Sequence, residues 1–414
     1  MGLCGSWGMR SQLKDLAVVE YGKSPNEVKD ERGDFPVYGT GGLVAKANDY
    51  LFDSEAIIVA RKGTLDKPSY VNGKFWVIDT AYAAIVNEGN FPKWLYYCLL
   101  NFDLKSLNEA TGVPSISRDF LYKTQFYTPS YERQKKIAKI LTTVDNLIEQ
   151  TQALIDKYTA IKQGMMADLF TRGIDLSGTP ETNNNYGQLR SSVEQAPELY
   201  KETELGWVPK EWEVIKLIDA SIDGLKNGYF KDPKLVGQGS KLINVSELYQ
   251  EFGIEIESDK VERVTVSEKD FKKYCVSEGD IFFTRSSLVL EGIARSNIVR
   301  KLCEQCVFEC HVMRLKPNKN IVIPECLALF CQSDYSRRYF MGMAKQVTMT
   351  TIAQPDMVGL NVPVPALEEQ DKIVKFHDSA ANQIKMLMDE RSKYIFAKKG
   401  LMQDLLTGKV QVNA

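Results

Sequence analysis

Histidine is scarce in this sequence: His311 and His377 are the two present among 414 residues. That scarcity argues against chemistry needing several imidazoles, as metal ligands or as a shared proton relay. Long apolar runs are missing too. None reaches the roughly 18 to 20 residues of a membrane-spanning helix, so no membrane association is expected. The start MGLCGSWGMR has no charged region followed by a long apolar core, the mark of a signal peptide, and the chain is expected in the cytoplasm. Nor is there an excess of positive charge, with 52 Lys and Arg against 54 Asp and Glu and a net charge of -2. This argues against a polybasic nucleic-acid binder and leaves DNA contact to local patches. The eight cysteines follow no regular spacing and fit a reducing compartment, where they act as small apolar residues.

Catalytic constellations are equally sparse. AVVEYGKS at 17–24 satisfies a relaxed phosphate-loop pattern, with Ala17 in place of the first glycine. A phosphate cradle needs a pliant glycine-rich turn leading into a helix, whereas here the interior is Val-Val-Glu-Tyr and Pro25 follows at once. A strand running into a turn is expected instead, with Lys23 free to touch a DNA phosphate. CEQCVFECH at 303–311 offers Cys303, Cys306, Cys310 and His311, but adjacent ligands at 310 and 311 point to opposite faces of a strand, and no metal is expected. GTGG at 39–42 is read as turn glycines, because no Asn-Pro-Pro-Tyr or Asp-Pro-Pro-Tyr follows it to hold a target base. No carboxylate pair or Ser/His/Asp set stands at catalytic spacing.

What is present is a soluble, globular composition, 44 % hydrophobic and 26 % charged, in a chain long enough for two domains. It is organised by a repeat. Gly400 minus Gly164, Gln370 minus Gln134, Tyr394 minus Tyr158 and Pro365 minus Pro129 all equal 236, and 129–171 laid over 365–407 gives 16 identities in 43 positions. A period of that size marks a duplicated module of domain size. Each copy carries a 4,3 apolar seam: Ile137, Leu141, Val144, Ile148, Ile155, Tyr158 and Met165 in the first, interrupted by Thr151 and Lys162. The second has Ile373, Ala380, Ile384, Leu387, Tyr394 and Leu401, interrupted by His377, Arg391 and Lys398. Four heptads of this kind specify a long helix that pairs with another, a rod of roughly 60 Å at about 1.5 Å per residue.

Ahead of each helix lies a strand-like, turn-rich region, with SEAIIVARKGT at 54–64 and EGDIFFTRSS at 278–287. The repeat enters these regions only at 111–129 over 347–365, where Ile116 meets Ile352 and Phe126 meets Val362. The stretch 176–198, rich in Asn, Ser, Gly, Thr and Pro, reads as a flexible connector.

In this order the phrases resemble the DNA specificity subunits of type I restriction-modification enzymes. The resemblance is carried by P-x-x-E-x-Q-x-x-I at 129–137 and 365–373, the closing phrase at 398–409, ELGWVPKEWEVIKLIDA at 204–220, and FPVYGTGGLVAKANDYLF at 35–52 with VARKGTLDKPSYV at 59–71. The first module departs from the pattern in lacking a clear Leu-Gly-Trp-Val-Pro lead-in, and FTRG at 170–173 stands where the second copy has LTGK. The resemblance implies a mixed α/β chain. Target recognition domains at 1–128 and 204–364 would alternate with spacer helices at 129–172 and 365–414, joined by a linker at 173–203. The helices would form an antiparallel coiled coil with pseudo-two-fold symmetry.

It also implies a subunit without catalysis. The partners expected are double-stranded DNA, DNA methyltransferase (modification) subunits and a restriction/translocase subunit, and those subunits would hold S-adenosylmethionine, ATP and Mg; no cofactor is expected in this chain. DNA contacts are expected at Lys23, Arg61, Lys62, Ser115, Ser117 and Arg118 in the first module. In the second they are expected at Asn227, Tyr229, Lys231, Arg285, Lys345, Gln346, Thr348 and Thr350. Partner docking is expected at Gly164, Met166, Asp168 and Leu169, and again at Gly400, Met402, Asp404 and Leu405. The rival readings are a nucleotide-dependent DNA-processing enzyme using 17–24 and a coiled-coil adaptor that holds proteins and not DNA.

Overall fold

The computed structural model describes residues 9–257, 261–346 and 348–413. The first eight residues, where the lead-in phrase departs from the pattern, lie outside them. The chain divides into two compact units, one formed by Met1–Leu154 with Leu387–Ala414 and the other by Ile155–Met386.

In the first unit, apolar runs such as Ala56–Ala60 (AIIVA) and Ala81–Val86 (AYAAIV) are buried on both faces and make strands of one antiparallel sheet. Its order is Ala17–Tyr21, Ala81–Val86, Ala56–Ala60, Ser69–Val71. Period-two alternation divides the side chains. Ile57 and Val59 join a core built on Trp94, Leu95 and Leu99 of the helix Pro92–Asn101, while Ala56 and Ile58 join Phe75 and Val77 on the other face. A second sheet, ordered Gly42–Ala47, Phe35–Gly39, Lys74–Val77, Phe52–Asp53, contains one parallel pair, Phe35–Gly39 with Lys74–Val77.

The second unit repeats this plan. Ser221–Asn227, Val312–Pro317, Ile281–Thr284 and Ser296–Leu302 form an antiparallel run in the same order, extended at its edge by Ile254–Ile256. The helix Pro324–Gln332 takes the place of Pro92–Asn101. Arg263–Val264, Val236–Ile243 and Cys306–Phe308 repeat the second sheet with its one parallel pair. The duplication therefore runs through the whole module, well upstream of residue 111. The lead-in strand is also present in both: Met9–Gln12 pairs with Gln125–Thr128 as Glu213–Lys216 pairs with Asn361–Val364.

The long helices are Tyr131–Thr171 and Leu367–Leu405. In the first unit Ile137, Ala138 and Leu141 share a core with Met402, Leu405 and Leu406, and Lys398 reaches Asp145 at 2.5 Å. In the second, Leu169 and Phe170 share a core with Ile373. The start of one helix thus lies beside the end of the other within each unit, an antiparallel pairing. In the middle of the first seam Ile148, Ile155 and Tyr158 are half-buried, whereas Ile384 and Leu387 in the middle of the second are buried. Ala381, not Ala380, is the buried alanine of the second seam.

One repeated residue fastens each helix to its own module. Gln134 accepts a hydrogen bond from the backbone N–H of Phe91 at 2.7 Å and donates to the Pro129 carbonyl at 3.0 Å. Gln370 accepts from the N–H of Ile323 at 2.7 Å and donates to the carbonyls of Pro365 and Ile321 at 2.8 and 3.0 Å. Phe91 and Ile323 each precede a proline that opens a module helix, so an amide in need of a buried acceptor is satisfied twice in the same way.

The connector is not the flexible segment its composition suggests. Asp175, Ser177, Thr179, Thr182 and Asn183 bond one another through side-chain turns, and Ile174 bridges Leu189. Arg190 forms a buried, two-pronged ion pair with Glu369 at 2.5 and 3.1 Å, joined by Trp212 Nε1 at 3.0 Å and the N–H of Ile174 at 2.7 Å. Asn, Ser, Thr and Gly favour turns as well as disorder, and here the turns are anchored.

Candidate nucleic-acid interface

In each module one strand of the main sheet is followed directly by an arginine whose carbonyl is tied to the loop before the duplicated short helix. The Arg61 carbonyl accepts from the N–H of Ile116 at 2.9 Å, and the Arg285 carbonyl accepts from the N–H of Ile352 at 3.1 Å. The next residue continues the match, since Lys62 bridges Ser115 and Ser286 pairs with Thr351. The offsets agree: 352 minus 116 and 351 minus 115 are both 236, while 285 minus 61 and 286 minus 62 are both 224. Ile116 and Ile352, 1 % and 3 % exposed, are the buried pegs that hold this geometry.

At the first edge, Arg61 lies over the ring of Tyr21 at 5.4 Å and Arg118 over the same ring at 5.0 Å. Tyr82 packs edge-on to Tyr21 and donates to the Ile116 carbonyl at 3.2 Å. Burial pushes its hydroxyl up to about 12, so it stays a donor. Ser117 caps the helix Arg118–Tyr122, and Ser115 and Ser117 are held by Asn108 and Glu109. Two guanidiniums on one exposed aromatic ring make a surface suited to phosphate and base-edge contact. Lys23, exposed two residues beyond Tyr21, stands at the end of the same strand.

At the second edge the expected segments form a backbone-linked series. Asn227 is in register with Met313, Tyr229 bridges Glu309, the Arg285 N–H donates to the His311 carbonyl at 2.8 Å, and Ser286–Ser287 pairs with Thr350–Thr351. Thr350–Thr351 in turn pairs with Lys345–Gln346. Arg285, Lys345, Gln346 and Thr348 are exposed, whereas Thr350 is buried in the hairpin. Lys231 is committed to Glu262 at 2.5 Å. Arg285, Ser286, His311, Lys345 and Met349 line a concavity of about 390 Å³, with Ser286 Oγ 3.0 Å from His311 Nδ1. Tyr21, Ser286, His311 and the 85 % exposed Leu288 belong to these edges and are absent from the DNA contacts expected from sequence. Register across the paired strands is the signal that would have found Ser286.

The closing phrase divides. Leu169, Leu405 and Met402 are 2 %, 4 % and 7 % exposed, so the docking expectation for these three gives way to packing in the module cores. Met166 packs partly against the second core. Gly164 and Gly400 face open space, and Asp168 and Asp404 keep partly exposed ion pairs with Arg172 and Lys409.

The decoys also resolve. Residues 17–21 are a strand, no helix follows Lys23, and a side chain at Gly22 would meet the Ile78 carbonyl at 2.1 Å, which is why glycine stands there. Cys303 is exposed and Cys306 is buried in its strand. Among the described residues only the consecutive Glu309, Cys310 and His311 bring ligand atoms within 4.8 Å of one another. Burial, then the charge of Glu309, raises the Cys310 thiol, opposing the thiolate that a metal would need.

A family model described as "Type I restriction modification DNA specificity domain" matches residues 7–158 and 209–393. The chain is similar to the type I restriction enzyme MjaVIII specificity subunit of Methanocaldococcus jannaschii, 27 % identical over 315 residues, 75 % of this chain and 67 % of that one. The type I restriction enzyme EcoBI specificity subunit of Escherichia coli is 23 % identical over 304 residues, covering 70 % and 59 %. In fold the chain resembles the crystal structure of the type I restriction-modification S subunit from M. genitalium, with a TM-score of 0.58, 14 % identity and 98 % of each chain covered.

Proposed function

Since the chain belongs to the family of type I restriction-modification DNA specificity subunits, we propose that each module reads one half of a bipartite, asymmetric DNA sequence through its arginine edge. Arg61 and Arg118 would serve the first half-site, and Arg285 with the Lys345–Gln346 hairpin the second. The observation carrying this reading is the matched lock at Arg61–Ile116 and Arg285–Ile352, which presents an arginine at the same place in two modules whose surrounding sequences differ. Equivalent backbone with different side chains is the arrangement expected where one mode of approach to DNA serves two unlike sequences.

The paired helices would dock the modification and restriction subunits, and catalysis would belong to those partners. Balanced charge supports this division. Residues 1–128 hold 14 Lys and Arg against 15 Asp and Glu, which leaves little sequence-independent attraction for phosphate. The test is exchange of residues 212–364 for the equivalent segment of a relative, followed by mapping of methylated sites. One half of the recognised sequence should change and the other should persist; a change in both halves, or in neither, overturns the reading.

A further inference from the structure

The second unit holds a charged pocket of about 590 Å³, lined among others by Tyr249, Glu251, Glu291, Arg295, Ser296 and Arg337. Among the described residues neither arginine has a carboxylate oxygen within 4.0 Å. Arg295 lies over the Tyr249 ring at 4.4 Å, and Arg337 donates to the carbonyls of Ile293 and Glu291 at 2.6 and 2.9 Å. Burial, then the charge of Arg295, pushes the Arg337 guanidinium below its ordinary range, so the two cations feel each other. Ser296, 4 % exposed, is among the residues lining the same pocket, and its buried hydroxyl has no partner.

Two further observations say that this arrangement is held in place. Ala294, at φ 46°, is the non-glycine residue with a left-handed backbone among those described, and it sets the direction of Arg295. Thr284 hooks this turn, accepting from the N–H groups of Arg295 and Ala294 at 2.9 and 3.0 Å and donating to the Gly292 carbonyl at 2.6 Å. Thr284 is also the residue before Arg285, so the pocket adjoins the second reading edge. The first unit has the opposite solution. Asp66, in the turn before Ser69–Val71, pairs with Lys105 at 2.6 Å on the short helix after Pro92–Asn101, and the charges cancel. In the comparable places of the second unit stand two like charges, which repel until an anion lies between them.

We propose that this pocket binds a phosphate group between Arg295 and Arg337, and that the group is a backbone phosphate of the duplex read by Arg285. The proposal rests on the DNA-reading role given above. Arg295 supplies the outer guanidinium and Arg337 the inner one, with Ser296 as a hydroxyl donor, and the exposed Glu251 and Glu291 set an opposing charge at the rim. Arg337 also braces its loop, so the informative variant is Arg295→Gln, which leaves the backbone bonds to Thr284 intact.

The experiment uses the full chain in two arms. In the first, binding of a duplex carrying the methylated site is followed across salt concentration. Arg295→Gln should weaken it several-fold, reduce the slope of log K against log salt by about 0.9, and leave the preferred half-sites unchanged; Glu291→Gln should tighten it. In the second, inorganic phosphate at constant ionic strength should raise the melting temperature of the wild type above its value in chloride, and should not do so for Arg295→Gln. Phosphate stabilisation lost in the variant with an unchanged duplex slope keeps the pocket and assigns it to a small phosphorylated molecule. The same stabilisation in a chain that binds no duplex keeps the pocket and removes the DNA-reading role. An unchanged slope together with no phosphate-specific stabilisation overturns the proposal.

Discussion

The two copies of the long helix agree at one position and differ at the one before it. Gln134 and Gln370 make the same bracket to their modules, whereas their predecessors are Arg133 and Glu369. Glu369 gathers Arg190, Trp212 and the Ile174 N–H into a buried knot; Arg133 has a buried Nε without a partner. The duplicated residue does a job that both modules need, holding a module to its helix. The diverged residue does a job that arises once, tying down the connector and the Trp-containing lead-in phrase that follows it.

Breaking the knot should have the largest effect on stability. Glu369→Ala leaves a buried guanidinium uncompensated and should cost about 3–5 kcal/mol, seen as lost hydrogen-exchange protection around residues 174–190. Arg133→Ala, the matching change in the other copy, should cost less than about 1 kcal/mol. Equal effects would show that the two positions are not specialised.

Next come the packed leucines of the closing phrase. Leu169→Ala and Leu405→Ala should each cost about 2–5 kcal/mol in denaturant unfolding, as cavities in well-filled cores. Gly164→Ala and Gly400→Ala, with open space around them, should hold or gain up to about 1 kcal/mol. A pull-down with the modification subunit sharpens the contrast: if either alanine at these glycines abolishes capture without loss of stability, the exposed part of the phrase is a docking surface. Unimpaired capture by both would remove the glycines from that surface. The bracket should give a smaller, symmetrical pair of effects. Gln134→Ala and Gln370→Ala each strand one backbone N–H, worth about 1–3 kcal/mol, in the first and second unit respectively. A large asymmetry between them would mean that the shared geometry is not shared energetics.

The repeat was legible because it is written in particular residues: a glutamine that must bond, a glycine on a helix surface, a leucine that must fill a core. The long helices follow from their seam, and Arg61 and Arg285 from position after a strand. The module duplication upstream of residue 111 was not legible, because sheet strands such as AIIVA and IFFT are specified by burial and alternation, which many side chains satisfy. The connector misled because turn-forming composition does not say whether the turns are anchored, and its anchor, Glu369, lies 179 residues beyond Arg190. The burial of Met402, Leu169 and Leu405 was not legible, since a helix repeat alone does not tell which face meets a core. The Arg295–Arg337 pocket needs residues 249, 295 and 337 brought together, and no local pattern announces that.

The comparison that matters most is between the two arginine edges, and one measurement addresses it directly. Site selection from a randomised duplex pool, by the complex carrying Arg61→Ala or Arg285→Ala, should show each variant losing about 1–3 kcal/mol of discrimination at base positions of one half-site only. The half-site relaxed by Arg61→Ala should be the one retained by Arg285→Ala. Relaxation of the same half-site by both variants, or undiminished selectivity in each, would contradict the claim that two equivalent edges read two different halves.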